Sequence, residues 1–137
     1  MPLIIPTASE GTLLGFTLGT TTPGNQILKL FVNNVTETND ALVAADFTEM
    51  TTHGYASKTL TKTSWVVTPN TGAAASAAYA AQTWTFTAAA AVTVYGYYIT
   101  DTTTGLLLWF EEFTTPKVVE NTGDQIIITP AITLSKV

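Results

Sequence analysis

The sequence has no cysteine, no arginine and a single histidine, and its charge is sparse: five lysines against ten carboxylates in 137 residues. Without cysteine there is no disulfide framework and no thiolate metal site. The lysines (Lys29, Lys58, Lys62, Lys117 and Lys136) are scattered, whereas gripping a phosphate backbone needs clustered cations that displace counterions. No nucleic-acid partner is expected. The longest strongly apolar run is Leu106 to Phe110, well short of the roughly 18 residues of a membrane helix, so no membrane partner is expected. The first ten residues hold no basic residue and no apolar stretch of signal-peptide length, and no export signal is read.

Threonine dominates what is present, with 29 residues, followed by 17 alanines. Hydrophobic content of 46% with 14 aromatics excludes a disordered chain, which needs low hydrophobicity and high charge. A monomer's surface is usually rich in Lys, Arg, Glu and Asp. Here threonine and alanine must cover much of the outside, which suits a protein packed against neighbours in an assembly.

Period-two runs between turn signals predict strands. Ile27 to Val32 follows the turn Pro23-Gly24-Asn25. Tyr55 to Leu60 and Ser64 to Thr68 come next, closed by Pro69-Asn70-Thr71-Gly72. Gln82 to Thr87 alternates cleanly, Trp84 and Phe86 against three threonines, as a half-buried strand should. Val92 to Thr100 and Leu106 to Phe113 form a hairpin across the five-residue loop Asp101 to Gly105. Gln125 to Thr129 and Ile132 to Leu134 flank Pro130, which cannot donate to a ladder and belongs at a bulge, an edge or a strand end. Glu10 to Leu18 reads as a short helix or an irregular strand, and Asn39 to Phe47 as a helical turn capped by Asp40. The alanine-rich stretches at 73–81 and 88–91 read as tight loops or β edges despite alanine's helix propensity. The expected fold is all-β: a single antiparallel β-sandwich with seven or eight strands. The domain division is an N-terminal arm over 1–11 and a sandwich over 12–137.

The hairpin is apolar on both faces. Strict alternation puts Leu106, Leu108 and Phe110 on one side and Leu107, Trp109 and Phe113 on the other. Its partner shows Val92, Val94 and Tyr98 against Tyr95, Tyr97 and Ile99. A sandwich sheet has only one face in the core, so the second face needs its own cover. That cover is either the chain's own long loop or N-terminal arm, or a neighbouring subunit. The arm Met1-Pro2-Leu3-Ile4-Ile5-Pro6 reads as a frayed end or as an extended segment that docks on another chain. On the subunit reading, the partner-binding residues are Leu3, Ile4, Ile5, Tyr95, Tyr97, Leu107 and Trp109.

No catalytic constellation emerges. His53, with Glu49 and Ser57 nearby in sequence, sits in a loop entering a strand, where a lone histidine is structural or solvated. Glu111 and Glu112 are adjacent on a strand and point to opposite faces, so they cannot act across one bond. Asp40, Asp46 and Glu49 lack the alternate acidic spacing of a calcium loop. Asn34-Val35-Thr36 matches a glycosylation pattern by chance, given no export signal. No catalytic, metal or cofactor residues are assigned, and no enzymatic activity is expected. Gly96, inside Tyr95-Gly96-Tyr97, implies a bulge or a close approach by a ring or backbone.

The order of certain segments carries a resemblance. Leu28-Lys29-Leu30-Phe31 with Asn33-Asn34 comes first, followed by Phe47-Thr48-Glu49, Gly54-Tyr55-Ala56, Lys58-Thr59-Leu60, and Trp65 with Val67-Thr68. Then come Gln82-Thr83-Trp84-Thr85-Phe86, Val94-Tyr95-Gly96-Tyr97-Tyr98, Leu107-Leu108-Trp109 with Glu111 and Phe113, and Gly123-Asp124 with Ile128-Thr129-Pro130. This succession, from about residue 12 to the end, resembles a family of small structural proteins of tailed bacteriophages. The N-terminus and the alanine-rich loop depart from it. The resemblance implies a non-enzymatic virion component made in the bacterial cytoplasm. The favoured role is a capsid decoration or cement protein, a homotrimer on the major capsid protein. A jelly-roll-like arrangement follows by analogy with capsid proteins. A tail or baseplate component is the alternative within that class. A carbohydrate-binding module is the alternative outside it, and would need Trp65, Trp84 and Trp109 as exposed, coplanar rings.

Overall fold

A computed structural model describes residues 4–35, 39–69, 74–87 and 89–134. One helix, α1 (Thr7–Leu18), precedes nine strands: β1 (Gln26–Phe31), β2 (Lys58–Leu60), β3 (Val66–Thr68), β4 (Ala75–Ala78), β5 (Gln82–Thr85), β6 (Val92–Asp101), β7 (Leu107–Val119), β8 (Gln125–Ile128) and β9 (Ala131–Leu134). All pairings are antiparallel. The strands form a four-stranded sheet in the order β2-β1-β6-β7, a three-stranded sheet β3-β4-β9 and the pair β5-β8. The protein is an all-β antiparallel sandwich, with nine strands among the described residues where seven or eight are expected. The four-plus-four division of a jelly roll is not seen among the described residues.

The main core lies between the large sheet and the two small ones. Leu28, Leu30, Leu60, Val94, Tyr97, Ile99, Leu108 and Trp109 meet Trp84, Phe86, Ile126 and Ile128 there. A second cluster (Phe31, Leu42, Phe47, Tyr98, Leu107 and Phe110) lies on the other side of the large sheet. Its cover comes from the chain itself. The long connection from β1 to β2 folds back over β1, with Val32 N–H donating to Thr48 O (2.9 Å) and Met50 N–H to Leu30 O (3.0 Å). Phe47 then sits 5.0 Å from Phe31, 4.8 Å from Tyr98 and 5.1 Å from Phe110, measured between ring centroids. A phenylalanine so enclosed is worth about 3–5 kcal/mol against alanine. The arm contributes too. Ile4 and Phe110 exchange both backbone hydrogen bonds at 3.2 Å, a one-residue β-bridge on the outer side of β7.

Strict alternation fails along the hairpin at two places, both irregularities of pairing. Ile99 faces Trp109 but Thr100 faces Leu107, so Leu108 is a bulged residue. The extra residue resets the phase. Leu108 and Trp109 join the main core while Leu107 and Phe110 share the second cluster. Between Val94–Lys117 and Gly96–Glu112 the register shifts again, and Val94 falls on the same side as Tyr97 and Ile99 rather than with Tyr98. Pro116 lies in that irregular stretch, where a missing N–H costs no ladder bond.

Gly96 is the pivot of this second irregularity. A β-carbon there would lie 2.2 Å from the Glu111 carbonyl oxygen and 2.8 Å from the Phe31 ring. Both halves of the sequence expectation hold, the bulge and the close approach.

The helix extends further than expected, starting at Thr7 and crossing the boundary drawn between residues 11 and 12. Two glycines and three threonines within it give poor helix propensity, so packing must supply its stability. Ser9 is buried and its hydroxyl donates to the Leu107 carbonyl of β7. Gly19, at φ 72°, closes the C-terminus in the left-handed conformation such caps use. In the loop expected to hold a helical turn, only Ala44–Asp46 forms a 3₁₀ turn. The alanine-rich segment supplies β4, the middle strand of its sheet rather than an edge.

At the far end of the hairpin, Asp101 is 1% exposed. One carboxylate oxygen accepts Gly24 N–H (2.9 Å); the other accepts Thr103 N–H (2.9 Å), Thr104 N–H (2.8 Å) and the Thr104 hydroxyl (3.1 Å). This single side chain ties the hairpin loop to the turn before β1, which is how a buried carboxylate is accommodated.

Replacing Gly96 by alanine should lower stability by at least about 2 kcal/mol, since backbone and a buried ring must both move. Gly11→Ala should raise it by about 0.5–1 kcal/mol, because a β-carbon on that helical residue meets nothing within 4 Å. Urea unfolding of the two variants checks both signs.

Candidate interaction surface

The structure places the sequence-predicted contact residues mostly inside the molecule. Tyr97, Leu107 and Trp109 are each 3–4% exposed. Tyr95 is half-buried against the second cluster and Ile4 is half-buried in its bridge to β7. Leu3 lies outside the described residues. Ile5 alone reaches the surface, at 36% exposure. The large side chains of the hairpin faces are mostly covered, with Tyr95 and Phe113 half-buried and Val118 of β7 exposed. Of the two covers considered, it is the chain's own loop and arm that serve.

Polar groups near the hairpin are committed to the fold. Tyr97 donates to the Glu111 carboxylate at 2.6 Å. Tyr55 donates to Glu49 at 3.0 Å and accepts Leu30 N–H at 3.1 Å, while Lys29 pairs with the other Glu49 oxygen at 3.0 Å. Burial, reinforced by the facing carboxylates, pushes the Tyr55 and Tyr97 phenols far above their ordinary range. Burial and then the Glu49 charge push Tyr98 up to about 12. Asp124 is held below the usual carboxylate range by the N–H groups of Glu120 and Asn121.

His53 is buried in a turn at φ 60°, with Nδ1 2.6 Å from the Thr52 hydroxyl. No hydrogen bond joins it to Ser57 or Glu49, so the triad-like set is not assembled. Among the described residues no three His, Asp or Glu side chains group as metal ligands. The tryptophans do not form a platform. Trp84 and Trp109 are buried, and Trp65 meets Tyr79 and Trp109 edge-on at 64° and 67° while donating Nε1–H to Gln26.

Compared with protein-family models and with curated proteins, the chain matches none.

Large exposed apolar side chains lie on α1 and the three-stranded sheet, besides Val43, Val118 and Ile127 elsewhere. Leu14, Leu18, Val66, Val67 and Leu134 are 62–74% exposed. Beside them runs a groove of about 440 Å³ whose lining includes Ile5, Leu13, Phe16, Val67, Ile132 and Leu134. Glu10 is the only ionisable residue of α1, and β3, β4 and β9 have none. Sequence reasoning missed this face, although two signals were available. Leu13 and Phe16 define one side of the helix while Leu14 and Leu18, four apart, define another, and a helix docked on one side cannot bury both. Val66 and Val67 are consecutive in a strand and must point to opposite faces.

A phenol whose folded pKa exceeds its unfolded value stabilises the fold fully below the unfolded value, about 10. That contribution is lost as pH rises toward the folded value, because the unfolded chain releases its proton first. Stability should therefore fall from about pH 10 upward. For Tyr98 the window is pH 10 to about 12, with a slope of at most about 1.4 kcal/mol per pH unit. Tyr98→Phe should flatten the decline in that window, as read by denaturant unfolding at successive pH values.

Proposed function

We propose that the protein is a non-enzymatic structural component of a tailed-phage virion, a decoration or cement protein. It would sit on the outer capsid surface as a homo-oligomer, a trimer at local threefold positions, and tie major capsid subunits together. The observation that carries this reading is the exposed, nearly charge-free apolar face of α1 and β3-β4-β9. Exposed apolar side chains gathered at a groove, as Val67 and Leu134 are here, mark a contact site. The ordered resemblance to small phage structural proteins supports the same role. So does an outside built of threonine and alanine rather than charge. Each contact with the shell is modest, and repetition over many copies makes the sum large. A net charge of −5 keeps the protein away from packaged DNA. The buried or edge-on tryptophans count against the sugar-binding alternative, which requires exposed flat rings.

The purified protein should co-sediment saturably with the mature capsids of its phage and raise their thermal release temperature by several degrees. Absence of binding to capsids stripped of surface proteins would remove the reading, and binding to isolated tails alone would move it to the tail.

A further inference from the structure

We infer that the face formed by α1 and the β3-β4-β9 sheet is where one copy of this chain meets another. The inference deepens the virion reading and rests on it for its setting, a surface where copies crowd together. Three observations point to a second copy as the occupant.

Charge is the first. The chain carries a net −5, so two copies repel wherever their acidic groups approach. The helix offers only Glu10, and the three strands offer no ionisable side chain. An oppositely charged partner would find nothing here to steer it. A like-charged copy finds a region where approach costs little.

Shape is the second. Leu14 and Leu18 form a raised stripe on the helix, each more than 60% exposed. The groove, which the other side of the helix helps to line, holds half-buried Phe16 and Ile132 and exposed Val67 and Leu134. Insertion of the Leu14–Leu18 stripe of one copy into the groove of the next would be a heterologous contact, which closes into a ring or runs on as an open array.

Edge chemistry is the third. Both strands at the margins of the small sheet are uncharged, and all three residues of β3 are exposed. The margins of the large sheet differ: β2 carries Lys58, while β7 carries Glu111, Glu112, Pro116 and Lys117. Charge and proline are the usual guards against edge-to-edge pairing. The edge strands of the large sheet carry them; β3 and β9 carry none, with Pro69 and Pro130 only at their ends, and β5 and β8 carry none either.

The test needs only the purified full chain. Sedimentation velocity over a concentration series should show reversible self-association. Leu14→Glu and Val67→Glu, on different elements, should each weaken it at least tenfold, with the circular dichroism spectrum unchanged. Ile127→Glu should leave it unaltered, since Ile127 is exposed on the two-stranded sheet. Hydrogen exchange on the unaltered chain needs no variant: amides of α1 and β3 should gain protection as concentration rises. A chain that stays monomeric at high concentration overturns the inference. So does association that survives both substitutions, or protection confined to other elements. A monomer that still decorates capsids, with decoration abolished by Val67→Glu, assigns the face to the capsid instead and overturns the inference while the virion reading stands. Association through this face without capsid binding does the reverse.

Discussion

Large apolar side chains stand on both sides of the β6–β7 ribbon, and water must be kept from both. Most antiparallel sheets need one dry face, and their other face is polar. Here Ile99 and Trp109 belong to one cluster and Tyr98 and Phe110 to the other. The main sandwich can satisfy only the first. The long connection between β1 and β2 is the consequence, because it carries Leu42 and Phe47 back across the sheet. The arm, bridged at Ile4, and the docking of α1 through Ser9 close the margin along β7.

Burial on both sides also dictates the polar chemistry. Tyrosines are tolerated in such a setting when the hydroxyl finds a partner, and Tyr55 and Tyr97 each find a carboxylate. Those carboxylates are consequently occupied in holding the fold. The histidine and the acidic residues that look reactive in sequence are dispersed or engaged in the same way. Outward, α1 and the three-stranded sheet show exposed apolar side chains with almost no charge.

Much of the fold was legible in the residue pattern. Alternation at Gln82 to Thr87, the loop length at Asp101 to Gly105 and the placement of Pro130 all located strands close to where they lie, because period two and turn chemistry are local properties. Gly96 was legible for the same reason. Phase along the hairpin was not: a bulge at Leu108 and the irregularity beside Gly96 each reverse which face every later residue occupies, and although Gly96 signals the second, nothing local announces the first. The helix was half legible, since Gly11, Gly15 and its threonines argue against it and its docking, through Ser9 on β7 and through Leu13 and Phe16 on the main core, secures it. The contact residues were the least legible. Tyr97, Leu107 and Trp109 carry the strongest apolar signal in the chain, and the fold buries them for that reason. The weaker signals of Leu14, Leu18, Val66 and Val67 mark the surface that stays open.

By itself the sequence determined the class of the protein: antiparallel β-structure punctuated by turns, and an apolar ribbon needing cover on two sides. These follow from composition and short-range periodicity, which act over a few residues. Only the tertiary structure decided what provides the cover and what is left over. Whether a loop, an arm or another molecule lies on a given face depends on contacts between residues distant in sequence, such as Phe47 with Phe110 or Ser9 with Leu107. Such contacts are settled by the competition of all apolar surfaces for a limited interior, and no single segment records the result.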